Sequence, residues 1–119
     1  MAIHNDLGNK GEELAVAYLI KKGYSILERN YRFRKSEIDI VAKKNEVLIA
    51  VEVKTRSSNY FGNPKDFINK KKIQLLIYGM DNYIHEHDLD IEVRFDIISV
   101  LKDQKEYSIE HIEDAFLFF

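Results

Sequence analysis

The chain has 119 residues, 45% of them apolar, with seven Tyr and seven Phe, enough material for one buried core and too much for a disordered tail. It contains no cysteine, which removes disulfides and thiolate metal sites and suits a reducing compartment. The net charge of −2 conceals a dipole, because residues 1–72 carry 15 Lys/Arg against 9 Asp/Glu, a net of +6, and residues 73–119 carry 3 against 11, a net of −8. That asymmetry is expected of a basic working surface for a polyanion, with an acidic remainder that keeps the protein soluble.

The sequence opens without a basic-then-apolar leader pattern and holds no apolar run that could span a bilayer, so a cytoplasmic protein with no membrane partner is expected. Over residues 6–22 apolar positions recur at helical spacing, with Leu7, Gly11, Leu14, Ala15 and Tyr18 on one stripe and Gly23 as the stop. Residues 24–33 read as a strand and 37–42 as another. Lys44-Asn45 is a turn candidate, and the Val/Ile-rich segment 47–54 follows as a buried strand, so the middle of the chain is a hairpin. Residues 57–62 have loop composition, and Asn63-Pro64 joins a helix cap to the residue best tolerated at a helix's first position. Ile73, Leu76, Ile77, Met80 and Ile84 trace a helical stripe to about Glu86. Residues 92–101 form a further strand and 107–111 a short last one. The order is helix, three strands, helix, then one or two strands, without repeat or linker.

The middle strands carry charges that a buried sheet cannot leave unpaired. Because strand side chains alternate, Glu37, Asp39 and Val41 share one face and Ile38 and Ile40 the other. Glu52 and Lys54 share a face with Leu48 and Ala50, opposite Val47, Ile49, Val51 and Val53. Pairing through the turn brings Asp39 toward Glu52 and Lys54. Two close carboxylates repel, so the group calls for a cation. Lys54 in that place makes a structural ion-pair cluster. A divalent ion is the other arrangement: Mg²⁺ takes an octahedral oxygen site with one or two carboxylates and several waters. Asp39, Glu52 and a neighbouring main-chain carbonyl can supply it, leaving Lys54 to act on water or on developing phosphate charge.

Asp39, followed after a hairpin by Glu52-Val53-Lys54, resembles the Asp…Glu-x-Lys signature of the PD-(D/E)xK nuclease superfamily. A wider ordered set is similar to the bacterial YraN-like family over nearly the whole chain. It comprises Gly8, Gly11-Glu12, Gly23-Tyr24, Arg29-Asn30-Tyr31-Arg32, Glu37-Ile38-Asp39, Val51-Glu52-Val53-Lys54-Thr55-Arg56 and Arg94-Phe95-Asp96. A more distant similarity, with a helical glutamate ahead of the Asp and Glu-x-Lys, is to archaeal-type Holliday junction resolvases. The sequence departs from these patterns at Ile38, which replaces the superfamily's proline, and at Ser36, where YraN-like proteins commonly have glycine. Neither change removes a metal ligand.

The resemblance implies an α/β fold with a restriction-endonuclease-like core, a mixed central sheet of four to five strands flanked by helices, in a single nuclease-like domain over residues 1–119. It further implies a Mg²⁺- or Mn²⁺-dependent endonuclease or phosphodiesterase acting on DNA by in-line displacement, with branched repair or recombination intermediates among its substrates. Asp39 and Glu52 would hold metal, the Val53 carbonyl would add a ligand, and Glu12 would complete the set or act through water. Lys54 would activate water and stabilise the transition state. The alternative is a non-catalytic nucleic-acid-binding or assembly module that retains the fold. A purely structural protein leaves Asp39 and Glu52 unexplained.

Helix geometry separates Glu12 from its neighbour. Glu12 falls beside Leu19 at the rim of the apolar stripe, about 100° from Gly11, whereas Glu13 falls about 200° away, so only Glu12 looks inward. An ordinary rim glutamate is the competing reading. Arg29, Arg32, Arg34 and Lys35 precede the Asp strand, Arg56 follows Lys54, and Lys70, Lys71 and Lys72 crowd the second helix. Such residues position nucleic acid through phosphates without reading sequence, which suits structure-selective binding. Lys70, Gln74 and Tyr78 fall on the shoulder of the second helix, and Lys70 or Gln74 is the candidate to reach the scissile phosphate. Tyr31, Phe33, Tyr60 and Phe61 are candidates for stacking on unpaired bases, although most aromatics in so small a domain belong to its core.

Other motifs are discounted. His85-Glu86-His87 sends its imidazoles to different helix faces, so it reads as a polar helix end. His4 and His111 have no partner visible in the sequence, and Asp96 reads as structural. The apolar run 115–119 either packs on the core or makes a dimer contact. Oligomeric state stays open, a homodimer being one assembly that lets two small sites engage two strands.

Overall fold

Periodicity resolves into helix α1 (Asp6–Lys21), strands β1 (Ser25–Phe33), β2 (Ser36–Lys44) and β3 (Val47–Ser57), helix α2 (Lys70–Glu86), and strands β4 (Glu92–Asp103) and β5 (Glu106–Ile112), followed by a 3-10 turn, Ala115–Phe118. The computed structural model describes residues 6–57 and 68–118. The Asn63-Pro64 helix start, Tyr60, Phe61, His4 and the expected loop beyond Ser57 lie outside them. Within them, Asn69 caps α2, its side-chain oxygen accepting the Lys72 N–H at 2.9 Å.

One sheet runs β1-β2-β3-β4-β5, with β3–β4 parallel and every other pair antiparallel. It is a mixed five-stranded α/β sheet, at the upper end of the expected strand count. The β2–β3 turn is Asn45-Glu46, one residue later than expected, because Lys44 still pairs with Val47. Both turn residues have positive φ, 50° and 62°, which matches the twist of a two-residue hairpin.

The two faces pack separately. Ala15, Leu19, Tyr24, Ile40, Ala42, Ile49, Val51, Ile98 and Val100 bury against one another on the α1 side. Ile38, Val41, Leu48, Ala50, Leu76, Met80, Tyr83 and Ile97 do so on the α2 side. The expected alternation holds along β3 but not along β2, where Ile38 and Ile40 enter opposite cores. The change coincides with an irregularity in the neighbouring strand. Asn30 has φ 53°, and the β1–β2 ladder passes from Arg29–Ile40 to Tyr31–Ile38 without pairing Asn30 to Asp39. Tyr31 and Ile38, paired just beyond it, both pack on the α2 side. On α2 itself Ile77 is exposed, and Tyr83 takes the inward place expected of it.

Close approach, rather than turn geometry, explains two glycines. A Cβ on Gly11 would collide with the Thr55 side chain, and one on Gly79 with Ser36 Oγ. The Ser36 hydroxyl is buried and donates to the Leu75 carbonyl at 2.6 Å, so Gly79 lets α2 sit down on the start of β2. Gly8, by contrast, faces open space.

The C-terminal part is tied to the sheet by a polar cluster. Asp96 is buried and accepts from Arg94 Nε and Nη2, both at 2.8 Å, and from the Asp114 N–H at 3.0 Å. His111 Nε2 lies 2.7 Å from the same carboxylate and Nδ1 3.1 Å from the Tyr18 hydroxyl. Burial alone would raise the Asp96 carboxyl, but His111, Arg94 and the Asp114 N–H hold it below the usual range. Asp96 is thus structural, as read, and His111 has found two partners. Phe116 stacks on Phe95 at 4.8 Å, so the start of the apolar C-terminal run packs on the core. His87 stacks on Tyr83 and Glu86 accepts from Tyr31, which leaves the His-Glu-His segment as a helix end.

Overpacking at Gly79 is expected to lower stability by about 1–3 kcal/mol in Gly79→Ala. Gly8→Ala, which meets nothing, is expected to raise it by about 0.5–1 kcal/mol through helix propensity. Urea unfolding of both variants checks the pair, and equal effects would contradict the close approach of α2 to Ser36.

Candidate functional site

Asp39 sits where two ladders fail together. The β1–β2 ladder skips it, and the β2–β3 ladder ends one residue earlier, at Ile40–Val51. Beyond that point β3 remains paired to β4 through Ser57–Lys102, while β2 leaves it. The Val53 N–H, on the edge that β2 has vacated, donates instead to Asp39 Oδ2 at 2.8 Å. A side chain thus closes the gap left by a main-chain ladder.

Glu52 projects from β3 on the α2 side, with its side chain 13% exposed. Lys72, from the first turn of α2, places Nζ 2.6 Å from Glu52 Oε2. Glu52 Oε1 is buried and has no hydrogen-bond partner among the described residues. Burial, then the Asp39 charge, push the Glu52 carboxyl up to about 7 against the pull of Lys72. Burial likewise raises Asp39, although the Val53 N–H and Lys72 oppose it. Burial pulls the Lys72 ammonium down, but Glu52, Asp39 and Glu37 outweigh it and leave its affinity for the proton above that of an ordinary lysine.

Glu12 approaches from α1. As the wheel requires, Glu12 is half-buried and Glu13 exposed. Burial and then Asp39 raise the Glu12 carboxyl, while Arg29, whose Nη2 lies 3.9 Å away, lowers it. Lys54 is exposed, two residues beyond Glu52 on the same side of β3. Arg29 also donates to Glu13 at 2.9 Å, and Arg32 pairs with Glu37 at 3.1 Å. Arg34 donates to the Tyr78 hydroxyl at 3.1 Å, and Arg56 to Ser99 Oγ at 2.8 Å.

Of the remaining cations, Lys35 and Lys72 line one cleft of about 170 Å³ with Glu37, Leu75 and Leu76, between the β1–β2 tip and α2. Lys70 and Gln74 line another with Ile73 and Phe116, and Lys71 is exposed on α2. The cations expected to hold nucleic acid therefore divide, with Lys72 drawn inward onto a carboxylate. Nothing in its sequence neighbourhood distinguished Lys72 from Lys70 and Lys71. Its direction depends on where Asn69 starts the helix. The Asp96–His111 contact was also invisible, although Arg94-x-Asp96 on one strand face signalled the ion pair.

The carboxylate pair suits a divalent cation: two oxygen donors are forced together in a half-buried place, and one buried oxygen has no donor to meet it. Among the described residues no three His, Cys, Asp or Glu side chains gather closely enough to hold an ion by themselves. Asp39 and Glu52 would therefore hold it with main-chain and water oxygens, and Glu12 stands toward the same charge from α1.

The profile of the uncharacterised protein family UPF0102 matches residues 11–100, a span that holds Glu12, Asp39, Glu52, Lys54 and Lys72. The chain belongs to this family. It is the YraN family that the motifs resemble. A UPF0102 protein from Flavobacterium psychrophilum is 59% identical over 119 residues, and one from Christiangramia forsetii 57% identical, each alignment covering all of both chains. A UPF0102 protein from Phocaeicola vulgatus is 50% identical over 116 residues, 98% of this chain and 96% of its own. Among solved structures, the Holliday junction resolvase Hjc of Archaeoglobus fulgidus aligns with a TM-score of 0.48 and 15% identity, over 86% of this chain and 72% of that one. No described helix is long and apolar enough to cross a membrane.

The raised Glu52 carboxyl has a definite sign. Between the ordinary carboxylate range and about pH 7 the folded chain keeps a proton that the unfolded chain releases, so stability falls as pH rises through that window. Without divalent cations, the urea midpoint is expected to drop between about pH 5 and about pH 8. Glu52→Gln is expected to flatten this slope, and an unchanged slope would assign it to another group.

Proposed function

We propose that this protein is a Mg²⁺- or Mn²⁺-dependent phosphodiesterase that cuts DNA through contacts to the backbone rather than to bases. The reading rests on the Asp39–Glu52 pair at the break in the sheet, with one buried carboxylate oxygen left without a partner. When bound there, the ion supplies charge for the reacting phosphoryl oxygens and an acidified water. Lys54 stands exposed beside the pair, where an ammonium can meet phosphate charge or take part in proton transfer from water. Glu12, raised by burial and by Asp39, is suited to hold a proton or a water at the α1 side. Arg32, Arg34 and Lys35 at the β1–β2 tip, with Lys71 on α2, are exposed cations of the kind that hold phosphates.

One observation favours a second reading. Lys72 already neutralises Glu52, as expected of a non-catalytic nucleic-acid-binding module that keeps the fold and satisfies its acids internally.

A labelled panel of duplex, single strand, flap and four-way junction, incubated with Mg²⁺ or Mn²⁺, separates the two. Cleavage by the native protein is expected, abolished by chelation and reduced roughly a hundredfold or more in a folded Asp39→Asn variant. Equal cleavage by both proteins would overturn the assignment of residues. Salt-sensitive binding without cleavage on any substrate would establish the second reading.

A further inference from the structure

The metal reading leaves Lys72 without an explanation. It is not among the acids that would hold an ion, yet its ammonium lies 2.6 Å from a Glu52 carboxylate oxygen. Asp39 and Glu52 bring two carboxylates to the break in the sheet, and the Lys72 ammonium contacts Glu52 there. A divalent ion on the same pair closes the balance alone. It also makes the ammonium a surplus positive charge next to a cation, in a place of restricted solvent.

Lys72 has somewhere to go. Its side chain is 43% exposed and borders the cleft it shares with Lys35 and Glu37. A lysine stem can rotate toward that opening without disturbing Leu75 or Leu76, because it is long and flexible. Released from Glu52, its ammonium stands beside Lys35 at the rim, between the β1–β2 tip and the carboxylates.

We propose that Lys72 is an exchangeable resident cation of this site: its ammonium neutralises Glu52 until a divalent ion displaces it, and the displaced ammonium then faces the cleft as a phosphate contact. The proposal rests on the metal-dependent reading above. It makes Lys72 a positioning residue that sets how readily the site loads and couples loading to substrate binding.

The first measurement is Mn²⁺ affinity of the protein without DNA, by calorimetry or by paramagnetic resonance of free Mn²⁺. Removing the competing charge in Lys72→Met is expected to tighten Mn²⁺ binding by about tenfold. Lys72→Arg, which keeps the charge, is expected to stay near the native value. Lys105→Met, a charge removal at the distant β4–β5 turn, is expected to change little. Unchanged or weaker binding in Lys72→Met, with binding lost in Asp39→Asn, would overturn the exchange and leave the metal reading standing. Absence of Mn²⁺ binding in every variant would overturn both.

A second measurement needs no variant at the site. In native protein with ¹⁵N-labelled lysine, the Lys72 ammonium resonance is expected to be protected without Mg²⁺ and to move on its addition. An ammonium that stays in place while Mg²⁺ binds elsewhere on the Asp39–Glu52 pair would also overturn the proposal.

Discussion

The site depends on one failure of pairing. β3 keeps all of its residues in register with β4, but only its first five with β2, so the sheet opens at Asp39. If the β2–β3 ladder continued, Asp39 and Glu52 would stand opposite each other as like charges on a regular surface, where repulsion is unfavourable and water screens it. Because the ladder stops, the Asp39 carboxylate turns into the gap and accepts the Val53 N–H. The main-chain group is satisfied, and two acids end in one half-buried place. The conflict between hydrogen-bond satisfaction and charge repulsion is settled in favour of the hydrogen bond, and the surplus negative charge remains available for a ligand.

The rest of the fold holds that opening in position. Gly11 lets α1 approach Thr55 beyond the Glu-x-Lys segment, which brings Glu12 toward the acids from one side. Gly79 lets α2 approach Ser36, which brings Lys72 from the other. The Ser36 hydroxyl is absorbed by the Leu75 carbonyl and by the space above Gly79.

Much of this was legible in the residues, and the remainder was not for identifiable reasons. The parity of β3 set Glu52 on the face of Leu48 and Ala50 correctly because nothing interrupts alternation there. The parity of β2 misplaced Ile38 because alternation presumes unbroken pairing, and at Asp39 both neighbouring ladders are interrupted. Glu12 was separable from Glu13 because a helix has a fixed angular step. Lys72 was not separable from Lys70 and Lys71, since a run of identical charges carries no directional signal until the helix start is known. His111 met Asp96 and Tyr18 only through the pairing of β5 with β4 and the packing of α1, a contact across 93 residues in the case of Tyr18.

The uneven pairing of β3 also divides the site mechanically. Glu52 rides on a strand bound to β4 along its whole length, and β4 is itself fastened through Asp96 to His111 on β5 and to the Asp114 main chain. Asp39 rides on the β1–β2 hairpin beyond its last rung to β3. One carboxylate thus stands on a continuously paired strand and the other where pairing ends, between Ile38 and Ile40, which are fully buried in opposite cores. A change of packing on either face of the sheet therefore reaches the acid pair through Asp39.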